Sequence, residues 1–158
     1  MKIEELLKEA FLSFEEDNLY DAAVYLETVL EIDSNNMRAL LMLSRIYSTV
    51  EDYERALKYC EKAYKNNSDT LEVIFTMGYL YQEMRRNRKA LTYYEKYIEK
   101  EKSYHVYLNM GICYMDLKYY NKAHEMIDIA IEMDVKNPDG YFDKAECFIR
   151  MREFDKAM

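Results

Sequence analysis

The strongest constraint on this chain is an internal period. Ala22, Ala56, Ala90, Ala123 and Ala157 stand 34, 34, 33 and 34 residues apart, each behind a polar or charged stretch such as Asn18-Leu-Tyr-Asp or Asp52-Tyr-Glu-Arg. Self-similarity at such a period belongs to stacked supersecondary units, none of which can bury its apolar face alone. Upstream of each alanine lies a segment of helical period. Leu40, Leu43, Ser44 and Tyr47 follow the i, i+3, i+4, i+7 pattern of one buried helix face. Ile74, Met77, Gly78 and Tyr81 repeat it, as do Tyr107, Met110, Gly111 and Tyr114, and then Tyr141, Lys144, Ala145 and Phe148.

The chemistry of that pattern is close helix packing. A small residue at Ser44, Gly78, Gly111 or Ala145 lets a neighbouring helix approach, and an aromatic ring one turn away fills the adjoining space. A glycine inside a helix costs about 1 kcal/mol against alanine, so Gly78 and Gly111 point to a packing requirement. Each unit reads as two antiparallel helices. With three glycines and one proline in 158 residues, sheets joined by tight turns are excluded. The expected fold is all-α. The units fall at 3–36, 37–70, 71–103, 104–137 and 138–158, the fifth stopping a few residues into its second helix.

This arrangement resembles the tetratricopeptide repeat family, whose unit carries a bulky residue, Leu-Gly, Tyr, Ala and a later aromatic and Pro along 34 residues. Tyr107, Met110, Gly111, Tyr114, Ala123 and Ala130 match that pattern best. Leu40, Leu43, Ser44, Tyr47, Ala56 and Ala63 match it next. The proline that usually closes the unit is missing, with Ser34, Ser68, Lys102 and Val135 in its place. The resemblance spans the whole chain. It implies a right-handed superhelical α-solenoid of about four and a half repeats, a non-enzymatic scaffold or adaptor, and a concave groove lined by the first helix of each unit. A protein or peptide ligand, most simply an amphipathic helix, is the implied partner.

In that frame the candidate groove residues are Phe11, Arg38, Arg45, Phe75, Tyr79, Gln82, Leu108, Ile112, Met115 and Phe142. Leu7, Leu41, Phe75, Leu108 and Phe142 share one row, which also suits packing between units. The Lys and Asn by which some family members clamp chaperone C-termini are absent, since Leu7 and Phe11, Leu41 and Arg45, Phe75 and Tyr79, and Leu108 and Ile112 occupy those positions. Arg85, Arg86, Arg88 and Lys89 form the densest basic cluster, a secondary candidate site for a phosphate or an acidic tail.

Charge and cysteine content bound the rest. The net charge of −8 arises wholly in residues 1–36, which hold ten acids against Lys2 and Lys8. Such a chain lacks the clustered cations that nucleic acid and anionic membranes require. No apolar run approaches the ~20 residues of a membrane span. Cys60, Cys113 and Cys147 are odd in number and widely spaced, which fits a reducing, cytoplasmic setting. His105 and His124 lack metal-ligand spacing, and no phosphate loop or nucleophile turn is present, so no catalytic residue, metal or cofactor is expected. Two alternatives stay open. The chain is the interaction region of a larger enzyme or regulator, or it self-assembles through its uncapped fifth repeat.

Overall fold

The computed structural model describes residues 2–158. Among the described residues there are nine α-helices: α1 (Ile3–Glu15), α2 (Leu19–Ile32), α3 (Met37–Thr49), α4 (Tyr53–Asn66), α5 (Leu71–Glu83), α6 (Asn87–Ile98), α7 (Tyr104–Asp116), α8 (Tyr120–Met133) and α9 (Pro138–Ala157). The chain divides into two compact units, Met1–Leu80 and Tyr81–Met158, with the division inside α5.

In the first unit α1 packs on α2, α3 on α4, and α2 on α3. Leu6, Leu7 and Ala10 of α1, Ala22, Leu26 and Val29 of α2, and Ala39, Leu43 and Ile46 of α3 form one buried cluster. Farther along, Ala56, Cys60 and Ala63 of α4 and Val73, Ile74 and Met77 of α5 are buried. The rings of Tyr47 and Tyr59 stack at 5.6 Å beside this core. In the second unit α7 packs on α8, and α9 packs on both. Its core holds Tyr94, Val106, Met110, Cys113, Ala123, Ile127, Ala130 and Cys147. A Cβ on Gly111 would stand 2.6 Å from Ile127 Cγ1, so the glycine is what lets α7 and α8 meet.

The turns inside the pairs share one device. Asp17, Glu51, Arg85 and Lys118 adopt left-handed backbone with φ near 60°. After each, a backbone N–H reaches back to close the helix: Asn18 to Ser13 O, Asp52 to Tyr47 O, Arg86 to Tyr81 O and Tyr119 to Tyr114 O, all at 2.8 Å. This is the Schellman closure, in which glycine usually takes the left-handed position. Here four charged residues bear the conformational cost.

The turns between pairs use another device. Asp33, Asn67 and Asp134 accept the backbone N–H two residues on, Asn35, Asp69 and Lys136, each at 3.2 Å. These Asx turns end α2, α4 and α8 without the family's proline. The first helices then start on Asn36 and Asn137, whose side chains cap the N–H groups of Ala39 and Asp139.

The fifth unit departs from the sequence expectation. No turn interrupts it, and α9 continues as one 20-residue helix. Arg152 stands where the four left-handed residues stand in earlier units, yet it is helical. A continuous helix satisfies the backbone N–H groups of the residues beyond it within α9. In consequence Tyr141 and Phe148, expected to be buried, are 49% and 53% exposed, and Ala145 is exposed as well. The equivalent faces of α3 and α7 are covered by α4 and α8. Among the described residues, α9 has no second helix of its own.

Candidate interaction surface

On the first unit α1, α3 and α5 bring their candidate residues to two hollows. One, of about 350 Å³, is lined by Phe11, Phe14, Met37, Arg38, Leu41, Met42, Arg45 and Glu72. The other, of about 330 Å³, is lined by Leu41, Ser44, Arg45, Ser48, Thr49, Glu72, Phe75, Thr76, Tyr79 and Leu80. Leu41, Arg45 and Glu72 belong to both, so the hollows adjoin. Their spacing follows from helix geometry. Residues three, four and seven apart share a face, which sets Arg38, Leu41 and Arg45 in line on α3 and Glu72, Phe75, Thr76 and Tyr79 in line on α5.

The electrostatics of this surface are specific. Arg38 Nη1 pairs with Glu4 Oε2 at 3.0 Å, tying α3 to the first turn of α1. Both partners are exposed, so the pair contributes less than about 1 kcal/mol. The Arg45 guanidinium lies 4.9 Å over the Phe14 ring. Stacking fixes the plane of the fork and leaves its edge turned to ligand or solvent. Phe11 and Tyr79 are exposed, and Phe75 is half-buried.

The second-unit candidates fall differently. Leu108 and Met115 are only 6% and 3% exposed, which makes them core residues rather than surface ones. Sequence spacing puts them on the same helix face as Ile112, but burial follows the neighbouring helices and not the face alone. Ile112 is half-buried, and Phe142 is 71% exposed. Gln82 Oε1 accepts a hydrogen bond from the Tyr94 hydroxyl at 2.8 Å, and that hydroxyl accepts from Asn109 Nδ2 at 3.3 Å. Gln82 is thus held within its own unit.

The four basic residues at the α5–α6 turn are all exposed. Arg85 pairs with Asp116 Oδ2 at 3.0 Å, and Lys89 Nζ lies 5.3 Å over the Tyr81 ring. Arg86 and Arg88 are exposed. Asp116 also receives Asn87 Nδ2 at 3.3 Å and Arg150 Nη1 at 3.1 Å. It joins the α5–α6 turn to α9.

Sequence reasoning missed Met37 and Met42 as lining residues. Methionine at first-helix positions flanking the groove row was the available signal, because its flexible thioether suits adaptable binding surfaces. Burial pushes the thiols of Cys60 and Cys113 up to about 12, so both stay protonated and inert. Among the described residues no group of three or more His, Cys, Asp or Glu is placed to hold a metal ion. No described helix is long and apolar enough to cross a membrane.

Antiparallel helix pairs closed by equivalent turns, with adjoining hollows on their first helices, define a helix-pair repeat module of the interaction class. Sequence profiles described as tetratricopeptide repeat match residues 38–70 and 104–137, and a further one matches 72–103. The chain belongs to the tetratricopeptide repeat family, and its fold is of the all-α solenoid class. Among curated relatives, anaphase-promoting complex subunit 3 of Schizosaccharomyces pombe is 25% identical over 130 residues, which cover 82% of this chain and 20% of that protein. The chain therefore spans about a fifth of that relative's length. A tetratricopeptide repeat protein from Parabacteroides merdae has a similar structure, with a TM-score of 0.87 at 19% identity over 99% of this chain and 61% of that one. The MamA protein also scores 0.87, at 17% identity over 98% of this chain and 85% of its own. The chain is thus a protein-interaction scaffold of the tetratricopeptide type.

Proposed function

We propose that this protein is a cytoplasmic adaptor that captures an apolar peptide or amphipathic helix on the first helices of its repeats. The division into units at 3–36, 37–70, 71–103, 104–137 and 138–158 belongs to the same proposal. The observation that carries it is the pair of adjoining hollows on the first unit, which share Leu41, Arg45 and Glu72. Phe11, Phe75 and Tyr79 supply aromatic anchors of the kind that dominate binding energy. Arg45 between the hollows supplies an oriented donor for a carboxylate or carbonyl. Arg38 lines the same surface, and Ile112 and Phe142 are candidate apolar contacts of the second unit by itself. The cytoplasmic setting is supported by three buried cysteines that remain free. The role is the same whether the chain acts alone or as the interaction region of a larger enzyme or regulator.

The test is affinity capture from lysate of the source organism with wild type and Tyr79→Glu side by side. Tyr79 is exposed, so the variant keeps its helical spectrum. A protein held by wild type and lost by the folded variant supports the reading. Equal capture by both moves the site away from these hollows.

A further inference from the structure

Two charges of the first unit are left over where its hollows adjoin. Glu4, Arg38 and Glu72 stand 34 residues apart, at equivalent places on α1, α3 and α5. Arg38 gives its guanidinium to Glu4 at 3.0 Å, which leaves Glu72 over. Arg45 lines both hollows together with Glu72. Its guanidinium lies 4.9 Å over the ring of Phe14, which itself packs against the buried cluster of the first unit. That ring is a fixed platform, and the cation stacked on it keeps its edge donors. Among the described residues neither Arg45 nor Glu72 is in an ion pair. Lys8 and Glu15 stand one turn before and after Phe11, both exposed and opposite in sign, and line neither hollow.

Resting on the peptide-capture reading, we infer that the captured segment is dipolar: a peptide with an Asp or Glu that pairs with Arg45 and a Lys or Arg that pairs with Glu72, alongside the apolar side chains that enter the hollows. A peptide laid over this surface takes water from both charges, and a covered charge without a partner is costly. A wholly apolar peptide would strip both residues of water and give neither a partner. A purely acidic one would satisfy Arg45 and set its own charge beside Glu72. A purely basic one would do the reverse. A peptide with both signs answers both residues, and like-charge contacts reject the reversed order. Arg45 suits the acid in particular, because its flat fork can meet two carboxylate oxygens.

The test is selection from a random peptide display library on the immobilised full chain. Fluorescence titration of the enriched peptides follows, against wild type, Tyr79→Glu, Arg45→Gln and Glu72→Gln, with circular dichroism on every variant. The enriched peptides should carry an acid and a base at one constant separation. Replacing the peptide's acid by its amide should weaken binding to wild type by about fivefold and leave binding to Arg45→Gln nearly unchanged. Replacing the peptide's base by glutamine should act in the same way on wild type and Glu72→Gln. The crossed combinations, acid with Glu72 and base with Arg45, should show much weaker coupling. Peptides that are lost with Tyr79→Glu but carry no charge pair, or whose charges act independently of Arg45 and Glu72, overturn the dipolar inference and keep peptide capture. No enriched peptide, or binding indifferent to Tyr79→Glu, overturns peptide capture at the hollows and this inference together.

Discussion

Adding one methyl group at Gly111 probes the α7–α8 seam directly. The new Cβ would stand 2.6 Å from Ile127 Cγ1 and 3.3 Å from its Cδ1, with Ala123 O at 3.5 Å. Ordinary carbon contacts lie near 3.5–4.0 Å, so the overlap is about 1 Å. Ile127 is fully buried, and the struck Cγ1 is bonded directly to its branched Cβ, so it cannot swing clear. Two effects compete. Alanine gains about 1 kcal/mol over glycine in a helix interior. Overpacking costs about 1–3 kcal/mol. The expected net for Gly111→Ala is a loss of about 1 kcal/mol, and Gly111→Leu should lose more. Ile127→Ala alone should cost about 2–5 kcal/mol, since it opens a cavity. In the Ile127→Ala background the overlap is gone, and Gly111→Ala should now stabilise by about 1 kcal/mol. The cycle therefore predicts an interaction energy of about 2 kcal/mol. Urea unfolding followed by far-UV circular dichroism, at unchanged m, gives all four values. A wild-type background in which Gly111→Ala stabilises, or a cycle additive within about 0.3 kcal/mol, would refute the packing argument.

Other perturbations follow from the turns and charges. Glycine at Glu51 or Lys118 should raise stability by about 0.5–1 kcal/mol, because it removes the cost of left-handed backbone while adding some unfolded-state entropy; valine at either position should lower it, and urea midpoints decide. Burial, with Glu146 and Asp139 nearby, pushes the Asp143 carboxyl up to about 6. The folded state then holds the proton more tightly than the unfolded chain, so this contribution is full below pH ~4 and is lost as pH rises through about 6. Asp143→Asn should flatten that fall and be more stable at neutral pH by about 1 kcal/mol after solvent screening, read from denaturation midpoints across pH. Asp116→Ala removes the shared partner of Arg85, Asn87 and Arg150. It should cost about 1–3 kcal/mol and speed hydrogen exchange in α9 before the rest of its unit.

Much of the fold was written in spacing. The alanines at 22, 56, 90 and 123 mark where second helices touch first ones, and all four are fully buried. Gly111 announced a close seam, and one is there. The turn conformations were hidden, because Asp17, Glu51, Arg85 and Lys118 carry no glycine to advertise left-handed backbone. The missing proline was answered by Asp33, Asn67 and Asp134, whose side chains do the turning. Periodicity misled at Tyr141, Ala145 and Phe148 for a physical reason. A period says which residues share a face, and only a neighbour makes that face buried. The same gap between face and neighbour explains Leu108 and Met115, placed on a binding face by register and buried by packing. The hollows on α1, α3 and α5 were legible as a row of positions, but their partition around Arg45 needed the stacking of that side chain on Phe14.

The central claim is that the hollows flanking Arg45 take an apolar peptide. The most direct measurement is selection of peptides from a random display library on the immobilised protein, followed by fluorescence titration of the enriched peptides against wild type, Tyr79→Glu and Arg45→Glu. The account predicts enriched peptides with apolar side chains, bound at least about tenfold more weakly by both folded variants. Enriched peptides that bind all three proteins alike would contradict it.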